Sequence, residues 1–204
     1  MKYKIDIAGT IYTECDLQSA NIERPLFDRL SIGNACEARM ALKFKPKSEI
    51  PIMAEIKPYV FIDSDWKPLG TFYIDERSIS SFGIMSVSAY DSMMKADRAW
   101  EPDQSIEFPL PMSQAVSIIS QSMGVKIDDR TNVSSLYQID YPANDMTMRD
   151  VLGYIGVANA GNWIITNENK LLLIPLVGSA PEETFYLVDE NRNAITFGGV
   201  RILI

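Results

Sequence analysis

An alternation of apolar and polar residues through the first 97 positions constrains the fold more than any other feature. Large apolar side chains occupy every second position in 3–7 and in 40–44, with charged or small residues between them. A period of two places such residues on one face of a β-strand. The stretches 53–62, 70–79 and 84–90 extend this strand pattern, with turn residues between strands. It predicts a small antiparallel barrel or sandwich over 1–97.

The pattern changes at about residue 100, where the stretch 100–111 contains three prolines and is predicted to cross over to a different unit. A helix is predicted at about 113–123, with Ser113 as N-cap and Gly124 as the left-handed C-terminal residue. Val125–Ile127 then resembles a short strand. The predicted architecture is therefore α+β, with a compact α+β unit over 104–178 after the β-structure.

A second helix is predicted at about 147–160. Thr147 and Asp150 have the spacing of a capping box, with Asp in place of the usual Glu or Gln, and Gly161 is expected to end the helix. Two apolar runs in 162–176 flank the turn-forming residues 167–170, which predicts a β-hairpin.

The C-terminal stretch 191–204 is predicted to form a terminal strand, and it ends on the apolar segment 200–204. A hydrophobic strand is seldom left uncovered at a domain end. We expect either that this strand pairs inside the fold or that the sequence is part of a longer protein.

The 204 residues include no histidine, and this absence excludes Ser-His-Asp and Cys-His nucleophile pairs and imidazole metal sites. The net charge is −8. Residues 1–100 hold 13 basic and 14 acidic residues, and 101–204 hold 6 and 13, which sum to the totals of 19 and 27. An acidic chain lacks the charge for binding duplex DNA or anionic membranes, so neither partner is expected.

Cys15 and Cys36 are two thiols in strand-like surroundings, where a free cysteine usually packs as a small apolar residue. They predict neither a disulfide framework nor a zinc site, and we expect folding in a reducing cytoplasm. The longest apolar run, 171–177, is too short to span a bilayer.

Three acidic motifs are candidate calcium-binding or catalytic sites. Asp63-Ser64-Asp65 could begin a calcium loop, but Trp66 and the residues after it lack the further oxygen ligands, so a tight turn is favoured. Neighbouring carboxylates along a strand point to opposite faces and do not face each other across a cleft. This argues against catalysis by Asp75-Glu76 or Asp128-Asp129.

The other candidates also favour structural roles. Alternating Lys43, Lys45 and Lys47 form a basic row, interpreted as solvated edge protection, with contact to an acidic partner as the alternative. Gly198-Gly199 lacks the residues of a phosphate loop. Packing in the core or in turns is expected for Trp66, Trp100 and Trp163. We therefore predict no catalytic, cofactor-binding or metal residue, no cofactor and no enzymatic activity.

Four segments in order resemble the baseplate hub and tail-associated protein family of bacteriophages and prophages. They are WKPLGTFYIDE (66–76), SAYDSMMKAD (88–97), MTMRDVLGYIGVANAGNWIITNENKLLLIPL (146–176) and ITFGGVRI (195–202). The resemblance covers most of the chain from about residue 60 onward, whereas the first 50 residues match only in strand pattern.

The resemblance implies a structural protein at the distal end of a virion tail, assembled in the bacterial cytoplasm. Hubs of this family form trimeric rings in which each chain supplies two β-barrels and small α+β domains, joining a sixfold tube to a threefold spike or tip. The implied partners are further copies of the chain, the tail tube, the distal tail protein and the spike or tip. The resemblance implies a first barrel over 1–103 and a small α+β domain over 104–190. This sequence departs from the pattern, because only the start of a second barrel is present, in 191–204.

Two other functions stay open. A tail-associated lysin or peptidase would carry its catalytic part outside this sequence, and a muralytic assay on cell walls would detect it. A host-carbohydrate-binding module would need exposed aromatic side chains lining a groove, and a glycan array would detect it.

Overall fold

The computed structural model describes residues 2–26, 31–142 and 145–176. Further along the chain it describes only the backbone of two short strands, β14 (Thr196–Phe197) and β15 (Val200–Arg201), which pair antiparallel with each other. The remainder of the predicted terminal strand, including Gly198-Gly199 and the last three residues, lies outside the described residues. Within the described ranges, no helix is long and apolar enough to cross a membrane.

The first part of the chain forms a mostly antiparallel sheet that curves into a nearly closed barrel, as predicted. Its strand order is β2-β1-β5-β7-β8-β4-β3, and β6 pairs with β5. The strands are β1 (Lys2–Ile7), β2 (Thr10–Thr13), β3 (Leu17–Glu23), β4 (Arg39–Phe44), β5 (Glu55–Ile62), β6 (Asp65–Pro68), β7 (Phe72–Ile79) and β8 (Met85–Asp91).

Strands β2, β3 and β6 were not predicted, because none of them carries a long run of alternating apolar residues. Their presence corrects the interpretation of the lysine row. Strand β4 pairs with β3 on one side and with β8 on the other, so Lys43 does not protect a sheet edge. Lys47 instead lies beyond β4 and pairs with Asp16 at 2.7 Å.

The second part contains helices and short strands, as expected for a small α+β region. A 3₁₀ helix (Ser92–Asp97) leads to β9 (Leu110–Pro111), α1 (Met112–Met123), β10 (Lys126–Ile127), β11 (Gln138–Ile139), α2 (Met148–Ala158), β12 (Gly161–Ile165) and β13 (Lys170–Pro175). Strands β12 and β13 form the predicted hairpin, and β10 joins β13 in parallel. The crossover ends in β9, which pairs with β11.

The N-terminus of α1 differs from its prediction. Pro111 is the N-cap, its fixed backbone angle suits this position, and no side chain caps the helix. Ser113 is therefore the second residue of the helix, and the prediction that it is the N-cap is wrong. Gly124 has the predicted left-handed conformation, with φ 68°.

Helix α2 begins with the predicted capping box. Thr147 accepts a hydrogen bond from the Asp150 backbone N–H, and the Asp150 carboxylate accepts one from the Thr147 backbone N–H. Its end differs from the prediction, because the helix stops at Ala158. Gly161 is the first residue of β12, where an added Cβ would lie 2.7 Å from the Ile174 carbonyl oxygen.

Two apolar clusters form the interior of the described residues. One fills the barrel and includes Phe44 and Phe72. The other packs α1, α2 and the 3₁₀ helix around Trp163. The domain boundaries at 103 and 190 stay a prediction.

Candidate assembly surfaces

A segment between β3 and β4 leaves the barrel and attaches to the sheet of the second cluster. Ala35 forms a parallel bridge with Trp163 of β12, and the backbone N–H of Cys36 donates to the Trp163 carbonyl at 2.8 Å. The buried Asn162 side chain holds the same segment, because it accepts from the Asn34 N–H and donates to the carbonyls of Leu26 and Ser31. The barrel and the α+β region therefore share a hydrogen-bonded junction.

Arg149 of α2 joins three parts of this junction. Its guanidinium donates to both carboxylate oxygens of Asp97, to the Glu37 carboxylate at 3.0 Å and to the carbonyl of Ala35 at 2.7 Å. It also donates to the Met93 carbonyl. A planar fork with five donors is suited to such a set of acceptors. The side chain ties the segment before β4 and the 3₁₀ helix to α2.

Asp91 is buried where β8 ends and the 3₁₀ helix begins. Its carboxylate accepts hydrogen bonds from the backbone N–H groups of Ala38 and Met93, both at 2.9 Å. Burial raises the pKa of Asp91 to about 6, although these two hydrogen bonds and the charge of Arg24 act in the opposite direction. The folded protein therefore holds this proton more tightly than the unfolded chain does, whose pKa is near 3.8.

This difference predicts a pH-dependent stability contribution from Asp91. Where folded protein binds more protons than unfolded protein, the free energy of unfolding falls as pH rises. The contribution of Asp91 is fully present below pH 3.8 and is lost by about pH 6, a difference of up to about 3 kcal/mol. Denaturant unfolding of the wild type and of Asp91→Asn at pH 4 and pH 7 measures it. The wild type should lose stability relative to the variant as pH rises, and a constant difference would contradict this prediction.

An outward-facing group of side chains on β1, β5 and β6 forms a surface that we call the aromatic platform: Lys2, Lys4, Tyr59, Phe61 and Trp66. Cross-strand pairing places Lys2 opposite Phe61 and Phe61 opposite Trp66. The Phe61 and Trp66 rings lie 5.2 Å apart, and the Lys4 ammonium lies over Trp66, 4.4 Å from its centroid, and over Tyr59 at 5.1 Å. Phe61 is exposed and the other two rings are half-buried.

Four exposed apolar side chains lie on the segment before β5 and on the β7–β8 hairpin, and we refer to them as the apolar barrel end: Ile52, Met53, Ile79 and Phe82. Phe82, in the β7–β8 turn, is 88% exposed, and Ile52, before β5, is 77% exposed. Arg77 of β7 donates to the Ile50 carbonyl and so holds the two segments together.

The acidic motifs take structural positions. Asp63 and Ser64 form a two-residue turn between β5 and β6, both with positive φ, as in hairpin turns of type I′. Asp65 pairs with Lys67 at 2.8 Å. Asp128 pairs with Arg130, whose hydrogen bonds lower the pKa of the Asp128 carboxyl to about 2.

The strand at Asp75 and Glu76 is irregular, so the expectation that neighbouring carboxylates face opposite sides does not hold there. A register shift between Ile74 and Glu76 interrupts the alternation on β7. Both acidic residues border an open groove of about 660 Å³ on the outer sheet face, together with Lys43. Among the residues that the structure describes, no group of three or more Cys, Asp or Glu side chains is arranged to hold a metal ion.

The tryptophans and cysteines occupy different environments. Trp163 and Trp100 are buried in the second cluster, as expected for core residues, whereas Trp66 lies in the aromatic platform. Cys36 is buried, as expected, whereas the expectation was wrong for Cys15, which is exposed because it lies in the turn between β2 and β3; both are free thiols. The sequence does not predict the platform, because the residues between the predicted strands 53–62 and 70–79 are interpreted there only as a turn. The dipeptide Asp63-Ser64 was the available signal, since a two-residue turn there pairs Trp66 with Phe61.

The fold is similar to those of solved tail proteins, whereas no protein-family model and no curated protein matches the chain. The 43 kDa tail protein of prophage MuSo2 from Shewanella oneidensis aligns over 85% of this chain and 54% of its own, with a TM-score of 0.64 and 16% identity. A tail protein from Neisseria meningitidis aligns over 95% of this chain and 59% of its own, with a TM-score of 0.60 and 12% identity.

A third similar structure is the prophage tail protein gp18 from Listeria monocytogenes. It aligns over 92% of this chain and 55% of its own, with a TM-score of 0.54 and 10% identity. At these identities the comparisons establish a shared fold. This chain spans little more than half the length of each of the three proteins.

Proposed function

We propose that this chain is a structural component of a phage or prophage tail, and that it acts as a baseplate hub or tail-tip adaptor through ring assembly. The observation that carries the proposal is the fold shared with three tail proteins over 85–95% of the chain. An alignment over this share of the chain includes parts of both the barrel and the α+β region. The four sequence segments that resemble hub proteins support the same function independently.

The proposed mechanism is mechanical. Neighbouring copies pack side by side, one ring face binds the tail tube, and the other binds the spike or tip. Such contacts depend on shape, apolar anchors and complementary charge, and they require no catalytic residue. The platform and the apolar barrel end supply exposed aromatic and apolar side chains of the kind that interfaces use. In this proposal the nearly neutral first half packs in the ring and much of the acidic second half faces outward.

The arrangement at the junction also suits this function. The bonds from Arg149 and Asn162 fix the barrel relative to the α+β region, so surfaces on both parts keep a defined spacing. A ring of several copies closes only if each copy repeats the same geometry.

Deleting the gene from its prophage and inducing the strain tests the proposal. We expect particles without tails, or tail tubes without a tip, and complementation with the intact gene should restore normal particles. Complete, infective particles after deletion would contradict a structural function in the tail.

A further inference from the structure

We propose that the aromatic platform of one copy binds the proline-rich crossover (100–111) of a neighbouring copy. This inference rests on the proposed ring assembly and assigns one of its contacts to named residues. Platform and crossover are different surfaces of the chain, so the contact is head-to-tail. Repetition of a head-to-tail contact generates a closed ring when its rotation permits.

The platform presents cations beside aromatic rings. Lys2 is exposed and Lys4 is half-buried over Tyr59 and Trp66. Among the described residues, neither lysine lies within 4 Å of an acidic side chain, whereas Lys57 and Lys67 nearby pair with Glu55 and Asp65. Two positive charges on this face therefore lack a counterpart in the described part of the same chain.

The crossover carries the opposite charge. The 27 positions from 99 to 125 contain no lysine or arginine, while Glu101, Asp103 and Glu107 are all exposed. Neither Glu101 nor Glu107 forms a salt bridge within the described ranges. The Asp103 carboxylate accepts a hydrogen bond from the Ser105 backbone N–H at 2.8 Å.

The crossover is also held in place before binding. At one end the backbone N–H of Trp100 donates to the Met146 carbonyl. At the other end Leu110 pairs with Ile139 across β9 and β11. Pro102 lies between the two acidic positions 101 and 103. A segment that is already ordered loses little entropy on association, and proline-containing segments commonly dock on aromatic surfaces.

The platform is less suited to a sugar. Saccharides stack on the open faces of aromatic rings, but the Lys4 ammonium covers one face of Trp66 and one face of Tyr59. Unpaired lysines beside these rings favour an acidic protein segment, and the crossover is such a segment on the same chain.

Charge reversal in both directions tests the contact. The mass in solution is measured over a range of concentrations for the wild type, for Lys2→Glu/Lys4→Glu, for Glu101→Lys/Glu107→Lys and for the variant with all four changes. We expect the wild type to assemble and each double variant to dissociate about tenfold or more readily, because like charges then face each other. The quadruple variant should regain assembly, because the opposite charges face each other again. Salt should weaken the wild-type contact.

Two controls separate the possible failures. Lys43→Glu/Lys45→Glu makes the same charge change on exposed lysines at β4, away from the platform, and should leave assembly unchanged. The variant Glu101→Lys/Glu107→Lys alters only exposed side chains, so it tests the contact even if Lys4→Glu impairs folding. An assembled wild type whose charge variants all assemble equally would overturn this contact and leave the proposed function standing. A wild type that is monomeric throughout would overturn the contact together with ring assembly by this chain.

Discussion

Replacing Arg149 with methionine is expected to destabilise the protein by about 2–4 kcal/mol. The substitution keeps much of the apolar stem of the side chain but removes every donor of the guanidinium. The carboxylates of Glu37 and Asp97 then lose their shared cation, and the carbonyls of Ala35 and Met93 lose a hydrogen bond. The Glu37 side chain is 23% exposed and keeps only a 3.7 Å contact with Arg39, so it recovers little hydration, whereas Asp97 is 55% exposed and recovers more. This difference keeps the expected loss below that of a fully buried pair.

Thermal and denaturant unfolding measure this loss, with Lys67→Met as the control. Lys67 also pairs with an aspartate, Asp65, but the two side chains are 55% and 65% exposed. Exposed ion pairs contribute little to stability, so the control should unfold like the wild type. Equal effects of the two substitutions would contradict the assignment of Arg149 as the residue that holds the junction together.

Replacing Trp163 with alanine is expected to cost about 3–5 kcal/mol or more. The side chain is fully buried at the centre of the second cluster, and its indole N–H donates to the Leu152 carbonyl at 2.7 Å. Loss of the indole would leave a cavity beside residues 34–36, which form hydrogen bonds with the Trp163 backbone. Because that segment connects the barrel to β12, the change should weaken the junction as well as the core.

A comparison of phenylalanine substitutions separates the hydrogen bond from the packing. Trp100 is buried in the same cluster, but its indole N–H has no partner among the described residues. Trp163→Phe removes a satisfied donor, whereas Trp100→Phe removes an unsatisfied one. We therefore expect Trp163→Phe to cost more in the free energy of unfolding, by about 1 kcal/mol or more. Equal costs in denaturant unfolding would show that the Trp163 hydrogen bond contributes nothing.

Much of the fold was predictable because its determinants are local. The alternation in 3–7 and 40–44 identified two barrel strands, and Thr147 with Asp150 identified the start of α2. Gly124 has the left-handed conformation expected of it. In each case the information lies within a few neighbouring residues, so no knowledge of tertiary contacts was needed.

The missed features depend on tertiary contacts. Strand β3 has mostly exposed residues and exists because β4 pairs with it, and the segment before β4 attaches to β12, more than 120 residues away in sequence. The aromatic platform requires the register of β1, β5 and β6 together. Arg149 gives no sequence signal, since its acceptors come from two segments that are distant from it in sequence, the segment before β4 and the 3₁₀ helix.

Immunogold electron microscopy of intact particles tests the central claim most directly. An antibody raised against this chain is applied to particles from the strain that carries the gene, with particles from the deletion strain as the control for background. The account predicts gold at the distal end of the tail, between the tube and the spike or tip. Gold along the length of the tube, or particles that carry no label above background, would contradict the proposed function as a tail-tip hub.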